Sequence, residues 1–225
     1  MIDSQTGIIF RETTFDEFIL KESKAYFPVG ILPTDRILDV GAHIGTFACR
    51  AKIECPKCEL ASVEPEASNF AALEQNAEKF GFDALRGAVV SDELEGTKVQ
   101  IYVNGKKNNA LHTLVEVRGR ECQEVDGIGF SKILGAWEPT IVKCDIEGGE
   151  YSFPWEKLAN FPAVRMVIME LHLTHKGHRD EAPRLVQKIK DCGFVATKEP
   201  KIGEKNWTTI AVFTKGGTTQ QPATQ

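Results

Sequence analysis

The chain has 225 residues, of which 42% are hydrophobic, enough to build a substantial core within one domain. A net charge of −5 and a pI of about 5.6 provide no global field to attract nucleic acid, and no stretch approaches the ~18 continuous apolar residues of a membrane-spanning helix. The N-terminus lacks a basic segment followed by an apolar one, and the six cysteines are scattered like the reduced thiols of a cytoplasmic enzyme, so a soluble cytoplasmic protein is expected.

Phe15, Phe18, Ile19 and Tyr26 recur at helical spacing and predict a helix over 14–27, within an N-terminal extension (1–35) that is a candidate lid. Pro28 and Pro33 punctuate the approach to a strand over 36–40. A helix follows from Thr46 and ends before Pro56. Cys55 and Cys58 are spaced like half of a zinc site, but no second Cys or His pair lies at finger spacing, which leaves a solvent-side loop with free thiols as the preferred reading. A second strand covers 60–64, and the next helix, from Ala67, carries Phe70, Leu73, Ala77 and Phe80 on one face with Gly81 as its stop.

A third strand is expected over 84–90, then a hairpin turn at Glu95-Gly96 leading into 99–103. Residues 104–118 have weak periodicity and read as a loop or flap. A short strand over 121–125 and a helix capped by Ser131 and running through Leu134 precede the buried strand 140–144. Tyr151–Leu158 is a helix interrupted by Pro154, and 164–169 is another strand. Asp180–Cys192 is an amphipathic helix with Leu185, Val186 and Ile189 inward, and 194–198 and 208–213 form a closing antiparallel pair. The tail, 216–225, lacks core-forming residues and is expected to be disordered. Strands alternating with helices over 1–215 predict one α/β domain: a mainly parallel sheet with helices on both faces.

Two segments carry the chemistry. In the first, Ile37-Leu-Asp-Val-Gly-Ala-His-Ile-Gly45, an apolar strand ends at Asp39 and a tight glycine turn opens a helix; Glu64-Pro65 then closes the next strand. This is the layout of a nucleotide-type cofactor site at the carboxyl end of a parallel sheet, with glycines for close backbone approach and an acid for two ribose hydroxyls. A dinucleotide fingerprint needs glycine where His43 stands, so that the pyrophosphate can sit against the helix N-terminus. Asp39 beside the turn suits an amino group better than a phosphate. Together these residues suit S-adenosylmethionine, which has an ammonium, a ribose diol and no phosphate.

The second segment, Val142-Lys-Cys-Asp-Ile-Glu-Gly-Gly-Glu150, gathers Lys143, Asp145, Glu147 and Glu150 around a strand tip, and the neighbouring tip adds Glu170 and His172. For methyl transfer, Asp145, Glu170 or His172 can take the substrate proton, while Glu147 and Glu150 can hold an amine or a metal ion, or serve as plain capping acids. Lys143 either pairs with these carboxylates or holds a substrate anion. A divalent metal on His172, His175 and His178 is the less favoured reading, with His175 and His178 assigned mostly to solvent; His112, in the flap, is a weaker candidate.

These blocks, with Val63-Glu-Pro-Glu-Ala-Ser-Asn-Phe70, Leu73, Asn76 and Val167-Ile-Met-Glu-Leu-His172, resemble the FkbM-like family of S-adenosylmethionine-dependent methyltransferases. The resemblance implies a Rossmann-like class I fold and methyl transfer, commonly to a hydroxyl on a sugar or secondary metabolite. It implies that Asp39 and Gly41 hold the methionine end and Glu64 the ribose, with Asp145, Glu147 and Glu170 at the reaction centre. The expected cofactor-binding set is Asp39, Gly41, Ala42, His43, Gly45, Glu64, Pro65 and Asn69; the expected catalytic set is Asp145, Glu147, Glu170, His172 and Lys143. A small-molecule acceptor is expected, and neither a membrane nor nucleic acid. The alternatives are N-methylation of an amine or guanidinium, a nicotinamide-dependent oxidoreductase, and a cofactor-binding module without catalysis.

Overall fold

A computed structural model describes residues 1–26, 30–104, 112–114, 119–174, 177–203 and 205–215. The expected disordered tail, His175 and most of the expected flap lie outside the described residues.

The large sheet is seeded by strands that are buried along most of their length and mainly apolar, as expected where both faces are covered. These are β1 (Arg36–Val40), β2 (Glu59–Glu64), β7 (Ile141–Cys144) and β8 (Met166–His172). With β3 (Asp83–Arg86), β9 (Phe194–Lys198) and β10 (Thr208–Lys215) they form seven strands in the order β3-β2-β1-β7-β8-β10-β9. The first five run parallel, and β10 lies antiparallel between β8 and β9. The mainly parallel sheet with an antiparallel closing pair is therefore as expected from the sequence.

Alternation along each strand sorts the residues onto two faces. Leu38, Val40, Val142, Val167 and Met169 pack on one face beneath Phe130, Trp155 and the inward side of α5 (His178–Asp191), where Leu185 and Ile189 are buried. Ile37, Ile141 and Ile168 pack on the other, against Phe47 and Ala51 of α2 (Thr46–Glu54) and the ring of Tyr26. Asp39 and Lys143 share that second face, which places a charged pair at the end of an apolar layer. The helix α3 (Ala67–Phe80) is stitched to the N-terminal segment by Asn76, whose amide donates to the carbonyls of Ile9 and Ile44 at 2.9 and 2.8 Å.

Several local expectations are corrected. The N-terminal helix is short, α1 (Asp16–Glu22), and tightens into a 3-10 turn over Ser23–Tyr26. The single strand expected over 84–90 breaks at Gly87 into β3 and β4 (Ala88–Val90), and β4 leaves the large sheet. A Cβ at Gly87 would sit 2.6 Å from Ile128 Cδ1 and 3.2 Å from the Asp126 carbonyl oxygen, so glycine eases the close approach of the two strands there. Glu95-Gly96 does turn the chain, yet β5 (Lys98–Val103) pairs with β6 (Glu121–Gly129) and not with the strand before it, giving a small sheet β4-β6-β5. Ser131 does not cap α4 (Phe130–Trp137), because its N–H and hydroxyl both bond the Asp92 carboxylate, at 2.8 and 2.6 Å. The loop thiols are not solvent-side: Cys55 and Cys58 are buried in the second layer, and burial raises the Cys58 thiol pKa to about 11. The expected strand over 164–169 begins later and continues through Glu170 to His172, which carries both side chains into the sheet edge.

The tightest point is the turn after β1. Gly41 has φ +75°, and a Cβ there would lie 1.8 Å from the carbonyl oxygen of Asp145. Gly41→Ala adds a left-handed backbone penalty of about 1–2 kcal/mol to an overpacking cost of about 1–3 kcal/mol. Denaturant unfolding is expected to show a loss of about 3 kcal/mol in the variant; an unchanged midpoint would mean that the two loops do not touch.

Candidate functional site

The glycine turn is fixed to β2 by two N–H groups, those of Gly41 and Ala42, which both donate to the Val63 carbonyl at 3.0 Å. The His43 N–H donates to Glu64 Oε2 and the Glu66 N–H to Glu64 Oε1, each at 2.9 Å. The Asn69 side chain bonds the same carboxylate, which keeps lone-pair capacity for a further donor such as a ribose hydroxyl. Burial raises the Glu64 pKa to about 7, against the two N–H groups and the Asn69 side chain that favour its charge.

A cavity of about 500 Å³ opens at this edge of the sheet. Gly41, Ala42, His43, Glu64, Pro65 and Asn69 line one side, with an apolar wall from Val89, Ile101 and Leu114. Lys143, Asp145, Glu147, Glu170 and His172 line the other, beside Trp207 and residues of α1. The structure thus brings the two predicted sets to one cavity, apart from two residues. Gly45 lies beneath Leu73, away from the cavity, where its missing Cβ gives that side chain room.

Asp39 is the second. It is fully buried, and its Oδ1 lies 3.0 Å from Lys143 Nζ, facing the sheet's interior. Lys143 also donates to the Gly41 carbonyl at 2.8 Å and sits 3.8 Å from Asp145 Oδ2. Against the burial that would neutralise it, Asp39 and Asp145 hold the Lys143 ammonium above its usual pKa. Of the two sequence readings for Lys143, the structure displays the pairing with carboxylates.

The second acid cluster is equally ordered. Glu150 has no solvent exposure; its Oε1 accepts from the His172 N–H at 2.7 Å and faces Nδ1 of the same ring at 3.2 Å, while Oε2 accepts from the Gly148 N–H at 2.9 Å. This carboxylate orients the imidazole so that Nε2 points to Glu147 Oε2 at 3.3 Å and Asp145 Oδ1 at 3.7 Å. Despite burial, which opposes it, the Glu150 and Glu147 charges hold His172 well above its ordinary pKa, as an imidazolium. Burial raises Glu147 to about 8, with Asp145 and Glu170 adding repulsion and His172 opposing. His178 is not turned to solvent: it stacks on Tyr151 at 4.0 Å and its Nδ1 lies 3.0 Å from the His172 carbonyl. From the flap, His112 lines the cavity, and Thr113 donates to the Glu147 carbonyl at 2.8 Å.

Sequence reasoning missed Tyr26. Its hydroxyl lies 2.8 Å from Asp145 Oδ2 and 2.5 Å from Glu170 Oε2, bringing the N-terminal segment into the cluster. It also missed Asp16, a buried carboxylate that pairs with Arg11 and stands 3.5 Å from His43 Nε2. Tyr26 occupies helical-core spacing and carries no local sign of partners more than a hundred residues away, and Asp16 gives no sign in its own segment of a contact with the glycine turn.

A parallel sheet closed by an antiparallel strand, with a glycine turn and an acid at adjacent strand tips, defines a class I methyltransferase fold. Residues 39–196 match the family model of the methyltransferase FkbM domain, and the chain belongs to that family. A crystal structure of methyltransferase FkbM from Methylobacillus flagellatus KT is similar in fold (TM-score 0.54, 16% identity over 85% of this chain). The chain spans 47% of that protein's length. A fibrillarin in complex with Nop5p is also similar in fold (TM-score 0.50, 11% identity, 96% of this chain and 90% of that one). No curated protein matches the chain in sequence. Among the described residues no helix is long and apolar enough to cross a membrane.

The raised Glu64 pKa has a consequence for stability. The folded protein keeps that proton up to about pH 7, whereas the unfolded chain loses it near the ordinary 4.5, so stability falls as pH rises through that window. Glu64→Gln is expected to flatten this slope, measured as urea-unfolding free energy at about pH 5 and about pH 7.5. Equal slopes in both proteins would place the Glu64 carboxyl at an ordinary pKa.

Proposed function

We propose that the protein is an S-adenosylmethionine-dependent methyltransferase acting on a hydroxyl oxygen of a small polar metabolite or sugar. The observation that carries this reading is the cavity shared by the glycine turn, Glu64 and the Asp145 carboxylate, in a chain of the FkbM methyltransferase domain family. When bound, the cofactor supplies a methyl group on a sulfonium, a good leaving group.

The backbone of Gly41, Ala42 and His43 would receive the methionine end, Glu64 the ribose diol, and Pro65 and Asn69 the neighbouring surface. The apolar wall of Val89, Ile101 and Leu114 suits the adenine ring. Asp39 acts through Lys143, setting the Gly41 carbonyl and the turn. Asp145 accepts the acceptor's hydroxyl proton as the new oxygen–carbon bond forms, with Glu147, Glu170 and His172 fixing its charge and direction. His43 in the turn speaks against a dinucleotide, whose pyrophosphate requires glycine at that point.

N-methylation of an amine is the second reading, favoured by the number of carboxyl groups at the cavity. Pairing weakens it. Asp39 is matched by Lys143 and Glu150 by the His172 imidazolium, while Glu147, raised to about 8, favours its neutral form, so the cluster is less negative than its composition.

Calorimetric titration is expected to give micromolar binding of S-adenosylmethionine and S-adenosylhomocysteine and none of NAD. Glu64→Ala removes charge-assisted hydrogen bonds of about 1.5–3 kcal/mol, a loss of roughly 10- to 100-fold in affinity. Asp145→Asn is expected to keep cofactor affinity and to lose about 10²–10⁴-fold in methyl transfer, scored over a panel of sugars, hydroxylated metabolites and amines. Binding of NAD alone, or of none of the three, would overturn the proposal.

A further inference from the structure

Tyr26 lies outside the family-matched stretch and approaches two carboxylates at once. A phenol has a single proton to donate. At 2.8 Å from Asp145 Oδ2 and 2.5 Å from Glu170 Oε2, both separations are hydrogen-bond lengths, and one proton cannot fill both. Two ionised carboxylates around one phenol would leave one oxygen pair in bare repulsion inside a site where Tyr26 itself is buried.

We propose that Tyr26 is a positioning residue that clamps Asp145 and Glu170 into a proton-sharing pair, one carboxyl protonated and one ionised, so that the reaction centre presents a single general base. This rests on the methyltransferase reading and deepens it. A centre with one ionised carboxylate takes one proton from one neutral hydroxyl, and it offers an ammonium less charge than two ionised carboxylates would.

The surrounding charges decide which member is ionised. Lys143 Nζ, from β7, is 3.8 Å from Asp145, and His172 Nε2, from β8, is 3.7 Å away. Glu170 feels His172 as well, but burial and then the Asp145 charge push its pKa up. Glu22, from α1, is raised by burial and by the charges of Glu170 and Asp145, so it favours its neutral form beside the pair. Glu147 completes the ring of neighbours. The extra proton therefore belongs to Glu170, and Asp145 is the base. Tyr26 is kept neutral by burial and by the same two charges, which hold its pKa well above the usual value.

The test is carboxyl-carbon NMR titration of the full-length ¹³C-labelled protein, wild type against Tyr26→Phe, with Glu170→Gln and Asp145→Asn to assign the two signals. Tyr26→Phe keeps the ring packed on Phe47 and removes only the hydroxyl. Tyr26→Phe removes the oxygen that accepts from the Glu170 carboxyl and the hydroxyl that bonds Asp145, and is expected to shift the Glu170 midpoint downward; Asp145→Asn, which removes the neighbouring charge, is expected to shift it downward as well. Superimposable Glu170 curves in wild type and Tyr26→Phe, or a Glu170 that titrates like an exposed glutamate, would overturn the proposal; a phenol that only fills space would give the first result. S-adenosylhomocysteine binding, measured in parallel, separates the two readings. If wild type and Tyr26→Phe both bind it while the curves coincide, only the clamp fails. If wild type does not bind it, the methyltransferase reading fails, and a single-base methyl-transfer centre fails with it.

Discussion

A buried ammonium holds the ligand-facing edge of this sheet together. Lys143 has almost no contact with solvent, yet it bonds Asp39 on the neighbouring strand and the Gly41 carbonyl above it, and it lies close to Asp145. Asp39 and Lys143 stand opposite one another in the β1–β7 register, so the pair forms as soon as the strands align. A buried pair stripped of one partner leaves an uncompensated charge, at a cost of roughly 3–5 kcal/mol. The glycine turn and the reaction-centre loop are therefore tied twice, once by this ammonium and once by the contact of Gly41 with the Asp145 carbonyl. The two loops at the mouth of the cavity are thereby fixed to each other.

The same pairing logic governs the acids beyond it. Glu150 spends both oxygens inside the protein, on Gly148 and His172, and the imidazole relays that anchoring to Glu147 and Asp145. A list of carboxyl groups at adjacent strand tips overstates the charge a ligand meets, because each is read with its full charge and without its partner. What the cavity offers is a few oriented oxygens on a frame less negative than its list of acids.

Much of the fold was legible because its sheet is buried on both faces: short, mainly apolar runs such as 37–40 and 167–169 admit few other readings, and acids in or at the end of them mark the open edge. The glycine turn, Glu64 and the Asp145–Glu150 segment were legible for the same reason, since charge at a strand tip is poor core material. Direction was not. Asp39 sits in the motif, but the side on which β7 would place Lys143 is a matter of pairing between distant strands. The break at Gly87 and the pairing of β4 with β6 were hidden likewise, because a glycine within an apolar run looks the same whether the strand continues or departs. Cys55 and Cys58 looked exposed because Pro56 and Lys57 are loop residues, although the thiols turn inward.

Family boundaries and folding boundaries part company in this chain. The matched stretch runs from residue 39 to residue 196. It begins in the middle of β1 and ends before β10, the strand that pairs with both β8 and β9. Cut there, β8 would expose a row of unpaired backbone groups, an invitation to edge-to-edge aggregation. The same cut would remove the helix and the phenol that close the acceptor side. An expression boundary drawn from the motif alone would yield a domain with its signature intact, one side of its sheet open and part of its cavity wall missing.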